Sequence, residues 1–208
     1  MNLVNIEDPN LVTTEVNSNL DYLDDIRNYD GVLAFDFDTK ENAKFGYEVM
    51  DDNSLKISYA RRLLSALFFS SEIGRNKKSK KHTFFAYDCA AECAYHLNER
   101  FTNESGFWLY RAMVAKGRGA KLVVTLPRRS TIAFNSYVSA AKSGTMLLNL
   151  IQNSKFDVGA LIGVSVKSIY SETREFLKRA SRLKTRHKIP NDYAGVILLE
   201  SIRTNGNL

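Results

Sequence analysis

The stretch Ala120-Lys121-Leu122-Val123-Val124-Thr125-Leu126, closed by Pro127-Arg128-Arg129-Ser130, decides how this chain is read. Its β-branched residues and its alternation predict a short strand, with Leu122, Val124 and Leu126 on one face and Lys121, Val123 and Thr125 on the other. A lone strand of this length satisfies neither its backbone groups nor its apolar face. No adjacent segment of matching length flanks it, so the simplest partner is the same strand of a second copy, antiparallel about a two-fold axis. On the N-terminal side, Lys116-Gly117-Arg118-Gly119 reads as a break. On the C-terminal side, Ser130 is placed to cap a helix, because its hydroxyl can accept from a free backbone N–H of the first turn. Ile132, Phe134, Tyr137, Val138 and Ala141 form the apolar side of that helix. Ser143-Gly144-Thr145 interrupts the pattern, and Met146 to Ile151 resumes it.

Upstream, Gly31–Asp38 (GVLAFDFD) and Phe45–Met50 (FGYEVM) read as two strands of a hairpin turning at residues 39–42. Residues 57–71 show helical apolar spacing (Ala60, Leu63, Leu64, Leu67, Phe68), and residues 83–101 and 104–115 make two further helices. Residues 74–82 (GRNKKSKKH) form a basic loop. Downstream, 158–164 is a short apolar segment, 167–184 a long basic helix, and 193–202 a closing strand or short helix.

Charge is divided unevenly. Residues 1–52 carry thirteen acidic and three basic side chains, a balance of −10, so within a net charge of +6 the other 156 residues sum to +16. A basic body of that kind is the electrostatic footprint of a polyanion binder, with the acidic extension left for protein contacts. The longest apolar run is about half of what a membrane crossing needs. The polar, acidic first ten residues do not read as a signal peptide, and two cysteines suit a reducing compartment, so a cytoplasmic, nucleoid- or plasmid-associated protein is expected.

One strand followed by two helices separated by a glycine turn resembles the ribbon-helix-helix family of DNA-binding proteins. The resemblance implies a homodimer whose intermolecular β-ribbon enters the major groove, with Lys121, Val123 and Thr125 facing the bases. It also implies that the second helix N-terminus, at Ser143, Gly144 and Thr145, holds a phosphate. The flanking Lys116, Arg118, Arg128 and Arg129 would neutralise neighbouring phosphates. Small members carry the ribbon at the N-terminus, whereas here it begins near residue 120. That embedded placement, with residues 55–64 (LKISYARRLL), 106–112 (GFWLYRA) and 145–196, is similar to the transcriptional activators of conjugative multidrug-resistance plasmids and their relatives in integrating conjugative elements.

The fold expected is therefore α+β and mainly helical. Residues 1–115 would form an acidic segment plus helical elaboration, and residues 116–208 the ribbon-helix-helix region with C-terminal helices. The function expected is a sequence-specific regulator of double-stranded DNA, an activator of transfer genes that engages RNA polymerase or another regulator; it is not an enzyme and needs no cofactor or metal. The alternative is a sequence-independent nucleic-acid coating protein of nucleocapsid or single-strand-binding type.

Other constellations carry less. Asp36 and Asp38 in VLAFDFDT resemble the first motif of haloacid-dehalogenase-type phosphatases, where they would be nucleophile and general acid. Only ten acidic residues follow Asp52, however, none adjacent to another, so the second acidic pair that holds magnesium is missing. Cys89, Cys93 and His96 share a helical face, but a fourth zinc ligand is lacking, with His82 in the loop before, and core packing is the better account. Arg75, Lys77, Lys78, Lys80 and Lys81 are either an auxiliary phosphate contact or a solvated loop. Arg174, Lys178, Arg179, Arg182 and Lys184 on the basic helix read as a solvated face or, less readily, as a contact to DNA backbone or another protein, with Glu175 spaced to pair with Arg179.

Overall fold

A computed structural model describes residues 47, 50–71, 73, 79–126, 129–153 and 163–205 of the chain. It contains α1 (Asp52–Ser71), α2 (Ser79–Arg100), a 3-10 turn (Thr102–Glu104), α3 (Ser105–Val123), α4 (Ser130–Asn153), α5 (Val166–Arg186) and α6 (Ala194–Asn205). Among the described residues there is no strand.

Local chemistry fixes the helix starts. Asp51 caps α1: its carboxylate accepts from the Ser54 N–H at 2.9 Å and from the Ser54 hydroxyl at 2.6 Å. Those hydrogen bonds hold the Asp51 carboxyl below the usual range. Ser165 caps α5 by accepting from the Ser168 N–H at 3.2 Å. The Trp108 indole donates to Glu104 at 3.0 Å, tying the 3-10 turn to the first turn of α3.

Each helix packs chiefly on its predecessor, and α6 returns onto α4. One apolar cluster joins Tyr47, α1, α2 and α3 through Leu55, Tyr59, Leu63, Leu97 and Trp108. A second joins α2 to α6 through Phe84, Met113, Phe134, Tyr137, Leu147, Ile169, Phe176 and Leu199. α2 and α3 belong to both, so the two clusters share a wall. Small residues let that wall close tightly: Ala86, Ala90, Ala91 and Ala94 of α2 are buried.

The expected α+β ribbon core is overturned. Residues 120–123 are the last turn of α3, Val124 is its C-cap, and the N–H groups of Thr125 and Leu126 return to the carbonyls of Leu122 (3.2 Å) and Val123 (3.0 Å). The backbone groups that would have required a second copy are thus satisfied within the helix end, and the physical reason for a two-fold ribbon disappears.

The glycines read as breaks are helix-packing positions. At Gly117 a Cβ would lie 2.7 Å from Phe176 Cε1 of α5, and at Gly119 it would lie 3.2 Å from Phe84 Cδ2 of α2. Gly144 likewise sits inside an unbroken α4, against Thr173 of α5, with a Cβ there only 3.0 Å from Met113 Sδ. Ser130 is the first helical residue of α4 and not its cap, so the helix starts one residue earlier than expected, and the Arg129 carbonyl accepts from the Ala133 N–H at 3.0 Å. The C-terminal segment, open between strand and helix, is helical as α6.

The expected division at residue 116 falls inside α3. Of the expected hairpin, residues 31–46, 48 and 49 lie outside the described residues, Asp36 and Asp38 with them, while Tyr47 is helical and buried. Arg75, Lys77, Lys78, Pro127, Arg128 and residues 158–162 also lie outside them.

Candidate nucleic-acid interface

The structure does not bring the expected base-reading residues onto one face. In a helix, successive residues turn by about 100°, so Lys121 and Thr125 share a side and Val123 points away from both. Lys121 and Thr125 are exposed, whereas Val123 is 1% exposed in the core. Thr125 donates to the Leu122 carbonyl at 2.8 Å and accepts from the Lys80 ammonium at 3.3 Å.

The expected phosphate set is dispersed too. Ser143 and Gly144 are buried, and Ser143 donates to the Ser139 carbonyl at 3.1 Å. The Tyr95 hydroxyl, held 2.8 Å from Ser143 Oγ, closes the same contact between α2 and α4. Thr145 donates back to the Ala141 carbonyl at 3.0 Å. With α4 continuous, no helix N-terminus exists at residues 143–145 to hold an anion. Arg118 is half-buried on α3, and Arg129, also half-buried, stands just before α4.

Lys116 departs furthest from expectation. Its side chain is 8% exposed, and its ammonium lies 2.6 Å from Asp88 and 2.7 Å from Glu92, both on α2. Burial alone would push this amine down, but the two carboxylates outweigh that and hold it above the ordinary lysine range. It is a structural cation between α2 and α3, out of reach of a phosphate.

The cysteines are packing residues here. Both are buried thiols, and Cys93 lies 3.7 Å from the Ser58 hydroxyl. His96 is turned toward Glu99 at 3.7 Å, and His82 lies against Phe69 with ring centroids 5.2 Å apart. Among the described residues no three His, Cys, Asp or Glu side chains gather as a metal site, and no helix is long and apolar enough to cross a membrane.

Among the described residues, a row of exposed cations lies on α5. The helix buries Ile169, Thr173, Phe176, Leu177, Ala180 and Leu183 at three- and four-residue spacing against the bundle. Another row, Val166, Tyr170, Arg174, Lys178, Arg182 and Arg186, advances by four residues at each step and is exposed throughout. The structure sorts the cations of this helix. Arg179 is held by Glu175 at 2.7 Å and reaches the Tyr137 hydroxyl at 3.4 Å. Lys184 is paired with Glu200 of α6 at 3.1 Å. By contrast, Arg174, Lys178, Arg182 and Arg186 form no ion pair among the described residues. They line an open groove of about 1320 Å³, together with Lys167, Tyr170 and Arg203 of α6.

Sequence reading had Arg174, Lys178 and Arg182 in view but grouped them with Arg179 and Lys184, and it missed Arg186 and Tyr170. The four-residue register was the available signal. It separates the row from the cations that lean toward Tyr137 and α6.

No protein-family model matches the chain, and neither a curated protein nor a solved structure matches it.

Proposed function

We propose that this protein binds nucleic acid through the outer row of α5, engaging phosphates without reading base sequence. The observation that carries the reading is the run Arg174, Lys178, Arg182 and Arg186, exposed and in register along one groove. Like charges four apart on a helix repel, by about 0.2–0.5 kcal/mol per pair, and this row contains three such pairs in succession. Six cations line this groove against one carboxylate, Glu175, which Arg179 already holds, whereas a solvated face ordinarily intersperses the two signs. A polyanion laid along the row converts the repulsion into attraction and releases its own counterions.

The length of the row and the charge of the body support the same reading. From residue 170 to residue 186 a helix rises about 24 Å, so the row tracks several phosphates of one strand. The body beyond residue 52, at +16, adds a long-range field that draws in an anionic chain. With residues 120–123 helical, base-edge readout by a ribbon has no element to perform it. Phosphate binding of the coating type needs none.

The test is a binding titration with labelled random-sequence oligonucleotides, comparing the protein with a variant in which Arg174, Lys178, Arg182 and Arg186 are all glutamine. Glutamine is a good helix former, so circular dichroism should be unchanged while affinity falls at least tenfold. Equal binding by the two proteins would contradict the proposal. Preference for one duplex by about a thousandfold over random sequence would instead favour a site-specific regulator.

A further inference from the structure

We infer that Tyr170 is a base-stacking platform, and that the ligand of the α5 row is single-stranded nucleic acid. The inference rests on the phosphate-binding reading above and adds the substrate class. Tyr170 sits one helical turn before Arg174 in the same exposed row and lines the same groove. It is 38% exposed, and among the described residues its ring meets no other ring and its hydroxyl has no partner.

Other tyrosines of the bundle are committed to the fold. Tyr47, Tyr59, Tyr87 and Tyr137 are buried. Tyr95 is held by Ser143, while Tyr193 accepts from Asn135 at 2.6 Å and packs beside Phe134. Val166, one turn earlier in the row, is also exposed, at 42%. The row is therefore graded, with an apolar and aromatic end at the start of α5 and four cations beyond it.

That grading matches the two chemical faces of a single strand. Unstacked bases offer π-faces to an aromatic ring, and the backbone offers phosphates at successive steps. A duplex keeps its base faces stacked inside and presents only phosphates and groove edges. An isolated exposed tyrosine needs no explanation. One in line with four exposed cations, on the lip of the groove they form, has the composition of a single-strand channel.

The experiment uses the full-length protein, a labelled thymidine oligonucleotide, a random-sequence duplex of equal length, and the variants Tyr170→Ala and Tyr170→Phe. Tyr170→Ala should weaken single-strand binding by about fivefold to a hundredfold, leave the salt dependence unchanged because no charge is lost, and leave duplex binding unaltered. Tyr170→Phe, which keeps the ring face, should bind as the parent does. Equal single-strand affinity for parent and Tyr170→Ala, or an equal loss on duplex, would overturn the stacking role. If the glutamine variant of the row still loses affinity in that event, phosphate binding stands and only the stacking role falls. If neither oligonucleotide binds the parent protein, both readings fail.

Discussion

The ammonium of Lys116 lies 2.6 Å from the carboxylate of Asp88, with both side chains less than a tenth exposed. One ion pair thus joins the centre of α3 to the centre of α2, and Glu92 completes it from one turn further along α2. Taking these charges out of water costs several kcal/mol each, and their mutual proximity offsets it.

Lys116→Met should therefore destabilise the protein by about 3–5 kcal/mol, because it removes the ammonium from the buried Asp88 carboxylate and from the partly buried Glu92. Urea unfolding monitored by Trp108 fluorescence measures it. Affinity for nucleic acid, corrected for the folded fraction, should not change. A surface phosphate contact would give the reverse: weaker binding and unaltered stability.

Gly144→Ala and Gly117→Ala should each destabilise by about 1–3 kcal/mol, the usual scale of overpacking. On an open helix the same change stabilises by up to about 1 kcal/mol, so the sign is diagnostic. Gly144 faces Thr173 and Gly117 faces the ring of Phe176. Thr173→Ala should relieve part of the Gly144→Ala penalty, a coupling measurable in a double-mutant cycle. Stabilisation by Gly144→Ala alone would mean that the α4–α5 contact is looser than described.

Stability should fall as pH rises through the window 9 to 12. Burial pushes the Cys93 thiol from its ordinary 9.0 up to about 12, and the Tyr59 hydroxyl from 10.0 up to about 12. Above pH 9 the unfolded chain loses these protons while the folded one keeps them. Folding stability is then fully present below the unfolded values and declines by about 1.4 kcal/mol per pH unit for each group until the folded values are reached. Urea midpoints at successive pH values follow the decline. Cys93→Ala should reduce its steepness between pH 9 and 10, and an unchanged slope there would contradict the assignment to Cys93.

Most helices were legible as apolar periodicity, and the failures have specific causes. The buried row of α3 runs Leu109, Met113, Lys116, Ala120, Val123 at helical spacing. A lysine and the glycines 117 and 119 stand in its middle, and they read as a basic turn. Only the long-range partners, Asp88, Glu92, Phe84 and Phe176, explain why those residues suit a helix interior there. The β-branched residues Val123, Val124 and Thr125 then suggested a strand, because intrinsic β-preference is outweighed when one of them, Val123, has a core to enter. At residues 143–145 a serine, a glycine and a threonine imitated a turn, yet Ser143 and Thr145 bond back to carbonyls four residues earlier within α4. The candidate interface was half legible. Its cations and the Glu175–Arg179 pair were visible in the sequence, but which cations are held by Tyr137 and Glu200 is decided by tertiary structure.

The most direct test of the central claim is the salt dependence of single-strand binding. Each phosphate neutralised contributes about 0.7 to the slope of log affinity against log salt concentration. The parent protein should show a steep inverse slope, and the variant with glutamine at Arg174, Lys178, Arg182 and Arg186 one shallower by about 3, the share of four contacts. Identical slopes for the two proteins would show that these four side chains touch no phosphate.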